Sequence, residues 1–79
     1  MRVKVKLFAA ARELVGKGTL ALDLPAGATV DMLSAQLFDA WPGLRDMRLR
    51  FAVNAAYAGL DTVLRDGDEI ALIPPVGGG

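Results

Sequence analysis

The feature that most restricts the fold of this chain is a change of hydrophobic period, from two to helical and back to two. Val3, Val5 and Leu7 alternate with Arg2, Lys4 and Lys6. That leaves one face apolar and the other charged, which predicts a strand with one side buried. Leu20, Leu22 and Leu24 repeat the alternation and stop at Pro25. Val30, Leu33, Leu37, Phe38 and Trp41 then fall at helical spacing and form one apolar stripe over about three turns. Period two returns in Leu49, Phe51 and Val53, which alternate with Arg48 and Arg50, and again in Glu69 to Ile73. One helix among four strands predicts an α+β domain of two layers, the helix lying on one face of a mixed sheet.

Local signals punctuate these segments. Ala9 to Leu14 are good helix formers and predict a short helical turn, broken by Gly16 and Gly18. Thr29 is placed to cap the main helix, with Asp31 in its first turn where the helix dipole favours negative charge. Pro42-Gly43 is expected to end it. Asn54 to Leu60 leaves room for a short edge strand. Arg65-Asp66-Gly67-Asp68 is a turn signal, and Pro74-Pro75 stops the last strand. The expected organisation is one domain over residues 1–73 and a flexible tail over 74–79.

Composition narrows the function. A chain of 79 residues buries only roughly 60% of the surface it exposes when unfolded. A hydrophobic content of 53% is rich for so thin a core and suggests that some apolar surface meets a partner. Nine basic and nine acidic residues balance, so no basic excess attracts nucleic acid. No segment has the character of a signal peptide or a membrane span, so the expected compartment is the cytoplasm. The chain has no His and no Cys, and Ser34 is its one serine. The usual nucleophile–base pairs and His- or Cys-ligated metal sites are therefore excluded. Gly16-Lys17-Gly18-Thr19 lacks the spacing of a phosphate loop and reads as a turn. Asp66-Gly67-Asp68-Glu69 lacks the spread of oxygen ligands that calcium needs. Arg12-Glu13 reads as a solvated helix face rather than a partner contact, Ser34 as structural and Trp41 as core.

What remains for covalent chemistry is the chain end. Pro74 and Pro75 hold the backbone extended and project Val76, Gly77, Gly78 and Gly79 away from the sheet. Glycines lack a Cβ and can thread a channel too narrow for any other residue. Three of them reach roughly 10 Å. The terminal carboxylate, with an ordinary pKa of about 3.5, is ionised at neutral pH. It is a poor electrophile and needs conversion to a mixed anhydride, such as an acyl-adenylate, before a sulfur or nitrogen nucleophile can attack. The competing reading is a frayed terminus without function.

Three stretches together resemble the small subunit of molybdopterin synthase: Leu7-Phe8-Ala9-Ala10-Ala11-Arg12-Glu13-Leu14-Val15-Gly16, Ala52-Val53-Asn54, and Asp66-Gly67-Asp68-Glu69 running through Pro74-Pro75-Val76 to Gly79. The resemblance implies a ubiquitin-like β-grasp fold. It implies that Gly79, preceded by Gly78, is adenylated by an ATP-dependent enzyme of the ubiquitin-activating type. It further implies conversion to a thiocarboxylate with sulfur from a donor protein, and sulfur transfer to cyclic pyranopterin monophosphate inside a large subunit. The expected assembly is a heterotetramer of two small and two large subunits. This chain itself would bind no cofactor and no metal, and would not be catalytic alone. In a β-grasp sheet the first and last strands are parallel neighbours and the third pairs antiparallel with the last. Alternation then places Phe8, Ala71 and Ile73 on the face opposite the helix, rimmed by Lys6, Arg48 and Arg50, as an expected partner-binding patch beside the tail. Two alternatives stay open: a sulfur carrier for thiamine thiazole or tRNA thiolation, and a protein modifier or binding module without sulfur chemistry.

Overall fold

The computed structural model describes residues 1–75. Five strands form one mixed sheet: β1 (Arg2–Leu7), β2 (Thr19–Asp23), β3 (Arg50–Val53), β4 (Ala56–Ala58) and β5 (Glu69–Ile73). Their order across the sheet is β2-β1-β5-β3-β4. β1 pairs antiparallel with β2 and parallel with β5, and β5 pairs antiparallel with β3. This is the β-grasp arrangement that the resemblance implies. A short helix, α1 (Ala9–Val15), follows β1, and the main helix, α2 (Val30–Ala40), crosses one face of the sheet.

The period-two segments bury their odd or even set as expected. Val3, Val5 and Leu7 of β1 and Ile70 and Leu72 of β5 are buried, while Arg2 and Lys4 are exposed. Against them α2 sets Val30, Leu33 and Leu37, all buried, with Phe38 and Trp41 half-buried at the edge of the stripe. The first N–H groups of α2, which no helix can satisfy itself, each find a partner. Thr29 Oγ1 accepts from Met32 at 3.3 Å. The Leu60 and Thr62 carbonyls accept from Asp31 and Val30 at 2.9 and 3.0 Å. The loop before β5 is thereby tied to the head of α2. Ser34, buried within α2, donates back to the Asp31 carbonyl at 2.8 Å, the structural role its sequence position suggested.

Two expectations require correction. Pro42-Gly43 does not simply end the helix. After Ala40 the chain passes through Trp41 into a 3₁₀ helix, Pro42–Met47, with Pro42 at its start and Leu44 fully buried. Proline suits a first helical position because its missing N–H would have had no partner there. The third strand begins at Arg50, not Arg48. Arg48 closes the 3₁₀ helix in the left-handed conformation, φ 52°, so strand alternation does not reach it. The ambiguous Asn54–Leu60 stretch holds the edge strand β4, joined to β3 by the two-residue turn Asn54-Ala55.

The acidic turn before β5 anchors strand ends and shows no metal-ligand arrangement. Asp66 accepts the Arg2 N–H at 2.7 Å. Asp68 accepts from the Arg65 N–H at 2.8 Å and from the Asn54 side-chain amide at 2.9 Å. The Arg65 N–H first, and the Asn54 amide second, hold the Asp68 carboxyl below its ordinary pKa. Among the described residues no group of His, Cys, Asp or Glu is placed to hold a metal ion, and no helix is long and apolar enough to cross a membrane.

Candidate docking face at the root of the tail

Residues that are partners in register share a face of the sheet. Lys6 pairs with Ala71, Ala71 with Ala52, and Ala52 with Tyr57, so one row of four strands runs across the side away from α2. The next row toward the chain end pairs Ile73 with Arg50. In β1 the following position of the same parity is Phe8, one residue beyond the strand. Phe8 is 47% exposed. The structure thus brings Phe8, Lys6, Ala71, Ile73 and Arg50 onto one face, two residues upstream of Pro75.

The position of Phe8 has a local cause. Ala9 takes φ 48°, a left-handed conformation that costs a residue with a Cβ about 1–2 kcal/mol. That single strained residue turns the chain out of β1 and straight into α1, where the Ala11 and Arg12 N–H groups donate to the Phe8 carbonyl at 3.1 and 3.3 Å. The aromatic ring is left outside the core. Strain of this kind tends to gather where a side chain must be presented.

The charge around the patch is uneven. Lys6 pairs with Glu69 at 3.3 Å across the parallel strands, an exposed contact of little energetic weight. Arg48, turned off the strand, is not assigned to this face by register. It lines an adjoining hollow together with Arg50. Two residues outside the expected patch, Tyr57 and Arg12, lie on or beside it, Arg12 being expected only as part of a solvated helix face. Tyr57 is 63% exposed, ends the central row, and carries the Arg50 guanidinium 4.0 Å from its ring centroid. Arg12 lines a shallow depression with Lys6, Phe8 and Thr19, and lies over Gly18, where a Cβ would come within 3.4 Å of its Nε. The signal for Tyr57 was its parity within β4, and a three-residue strand offers almost no alternation to read. Arg12 carried no comparable signal, because Phe8 is extended and Ala9 left-handed, so helical spacing does not relate the two.

Pro74 is half-buried and Pro75 exposed. Val76, Gly77, Gly78 and Gly79 lie outside the described residues. Chemically, the described residues offer a recognition surface, with aromatic, aliphatic and guanidinium groups together.

The sequence profile of the ThiS family matches residues 5–79. The molybdopterin synthase sulfur carrier subunit of Mycobacterium tuberculosis is 42% identical over 82 residues, covering 100% of this chain and 99% of that protein. Small archaeal modifier protein 1 of Haloferax volcanii superposes with a TM-score of 0.84 at 31% identity, covering 95% of this chain and 98% of that one. A chain of the Helicobacter pylori complex of subunits 1 and 2 of molybdopterin-converting factor superposes with a TM-score of 0.71 at 28% identity, with 100% of each chain covered.

Proposed function

The chain belongs to the ThiS family, and from that premise we propose that it is the sulfur carrier subunit of a molybdopterin synthase, with the carboxylate of Gly79 as its reacting group. The observation that carries this reading is the end-to-end match with sulfur carrier subunits, joined to an exposed apolar face at the root of a Gly-Gly tail. Activation begins when a carboxylate oxygen attacks the α-phosphorus of ATP, releasing pyrophosphate and leaving an acyl-adenylate. An adenylating enzyme of the ubiquitin-activating type supplies the site. A sulfide-level sulfur delivered by a donor protein then attacks the acyl carbon, AMP leaves with the bridging oxygen, and a thiocarboxylate results with no change of oxidation state.

The role of this chain's own residues is presentation. Gly77 and Gly78 pass a narrow channel without a Cβ to obstruct it, and Pro74, Pro75 and Val76 set the direction of entry. Phe8, Ala71 and Ile73, with Tyr57 beside them, bury against first the activating enzyme and then the large subunit. Lys6 and Arg50 at the rim align the two surfaces. Inside the large subunit the thiocarboxylate sulfur bonds to a side-chain carbon of cyclic pyranopterin monophosphate as a carbon–oxygen bond there breaks and that oxygen leaves with its electron pair. Water then cleaves the sulfur–acyl bond, leaving the sulfur on the pterin and returning Gly79 to a carboxylate. Two such transfers complete a dithiolene. The setting is the cytoplasm, and the assembly a heterotetramer of two small and two large subunits.

The test is the intact mass after incubation with ATP, a sulfur source and the host's activating enzyme. A gain equal to replacing one oxygen by sulfur, mapped to Gly79 and absent from a chain lacking that residue, is the expected result. Adenylation that persists without Gly79 contradicts it. Sulfur transfer on addition of the large subunit separates molybdopterin synthesis from the thiamine and tRNA alternatives. A second reading, a protein modifier, is favoured by the likeness to the Haloferax modifier protein. It requires isopeptide conjugates to target lysines in place of the thiocarboxylate.

A further inference from the structure

Between α2, the 3₁₀ helix and the β3–β4 hairpin lies an open hollow of about 610 Å³. Phe38, Leu49 and Leu60 give it an apolar floor, and Arg45, Arg48 and Arg50 stand around it. Two of the arginines lie against aromatic rings. Arg50 is 4.0 Å from the centroid of Tyr57 and Arg45 is 5.7 Å from that of Phe38. A guanidinium laid on a ring keeps its N–H edges turned outward and available to a planar anion. Among the described residues, neither of the two ion pairs includes any of the three arginines. One carboxylate, that of Asp31, shares the wall. In a chain whose charges cancel overall, this is a local cationic excess over an apolar floor.

We infer that the hollow receives an acidic segment of the protein that holds the tail, its carboxylates gripped by the three arginines and an apolar side chain seated on Phe38, Leu49 and Leu60. Charge complementarity argues for an acidic occupant. Position argues for the tail-holding protein. Arg50 pairs in register with Ile73, so one wall of the hollow stands beside the last strand residue before Pro74-Pro75, while Asp31, Ser34 and Phe38 place the rest of it on the α2 side. A partner that covers Ile73 and reaches around Arg50 meets that wall. A nucleic acid fits poorly, because its backbone demands a longer stripe of cations and two of the other basic residues, Arg2 and Lys6, are already paired with Asp23 and Glu69.

This inference rests on the sulfur-carrier reading for the identity of its partners, the activating enzyme and the large subunit. The experiment titrates the full chain against each, in low and in high salt. Replacing the three arginines together, Arg45→Gln, Arg48→Gln and Arg50→Gln, is expected to weaken at least one complex about tenfold or more at low salt. Most of the native complex's salt dependence should go with them. The double variant Lys17→Gln, Arg65→Gln, which removes two cations outside the hollow, should bind as the native chain does. The three arginines are exposed, and an unchanged thermal midpoint would confirm that the variant folds. Native affinity in the triple variant, for both partners, overturns the inference and leaves the sulfur-carrier reading standing. No complex from the native chain with either partner overturns both. A photoreactive residue in place of Leu60 adds a direct readout. Capture of a partner peptide rich in Asp and Glu supports the inference. Capture of a neutral or basic peptide, or of this chain's own residues 76–79, overturns it.

Discussion

Ala55 sits at the second position of the tight turn between β3 and β4 with φ 70°, and Asn54 before it has φ 49°. Both values belong to the primed turn that two-residue hairpins favour, for which Asn-Gly is the preferred pair. Asn54 suits its place and is held there, accepting the Glu69 N–H at 3.0 Å and donating to Asp68. Ala55 carries a Cβ where glycine would be unstrained. Relief of about 1–2 kcal/mol exceeds the roughly 0.5–1 kcal/mol that glycine adds in chain entropy. Ala55→Gly should therefore raise the thermal midpoint by a few degrees, read by calorimetry, and a fall would show that the turn needs its methyl group. Asp68 gives a prediction in pH. The Arg65 N–H, then the Asn54 amide, lowers its folded pKa below the ordinary 3.8. Its contribution is therefore full above the unfolded value and lost as pH falls through the folded one. Asp68→Asn should cost about 1 kcal/mol at pH 7, two exposed hydrogen bonds being weakened and not deleted. Urea midpoints of the two proteins should converge as pH drops from about 5 to 2. A gap that stays constant would mean that the carboxylate's charge plays no part.

At the level of elements, the strands and α2 were legible because each has a long enough pattern to show its period. β1, β5 and the Thr29-capped helix fell within a residue or so of their expected bounds. The 3₁₀ helix was not legible, and the reason is geometric. Six residues at three per turn give two turns, too few to distinguish from a loop, and Pro42-Gly43 resembles a stop when it is in fact a restart. The third strand likewise looks in sequence as if it reaches back to Arg48. Charged residues alternate with Met47, Leu49 and Phe51 there, but the left-handed backbone at Arg48 breaks the pleat before the ladder begins. Of the candidate site, Phe8, Ala71 and Ile73 could be placed on a common face by parity, while Tyr57 could not, lying in a strand of three residues. The 3₁₀ helix is nonetheless part of the core. Leu44 is fully buried among the core side chains, and α1 rests against this same element. Leu44→Ala should lower stability by about 3 kcal/mol, a large share of what so small a domain holds. Pro42→Ala, at an exposed position, should cost less than about 1 kcal/mol. Similar denaturation midpoints for the two variants would mean that the segment is a detachable loop.

The molecule as a whole divides its apolar residues between two tasks, and the sheet is the partition. On one side Leu7, Leu72 and Phe51 lie in register and close the core against α2. One step along the same strands the side chains emerge on the other side as Lys6, Ala71 and Ala52, and beyond them Phe8, Ile73 and Arg50. Adjacent residues in one strand therefore answer to different constraints. Leu72→Ala should destabilise the fold by about 2–4 kcal/mol and weaken every property together. Phe8→Ala removes a ring already half in solvent, so folding should lose at most about 1 kcal/mol. Binding is another matter. An aromatic side chain beside the tail root, next to Lys6 on its own strand and across Ile73 from Arg50, has the setting of an interface anchor, and truncating such an anchor costs about 2 kcal/mol or more, roughly thirtyfold in affinity. The measurement is a titration of the Phe8→Ala chain against the activating enzyme and against the large subunit, with its thermal midpoint recorded beside it. Lost affinity with a retained midpoint is the expected pair of results, in both complexes, because the proposed docking face is the same for the two partners. Unchanged affinity for both would return Phe8 to the ordinary run of exposed apolar residues and leave the tail without an anchoring surface at Phe8.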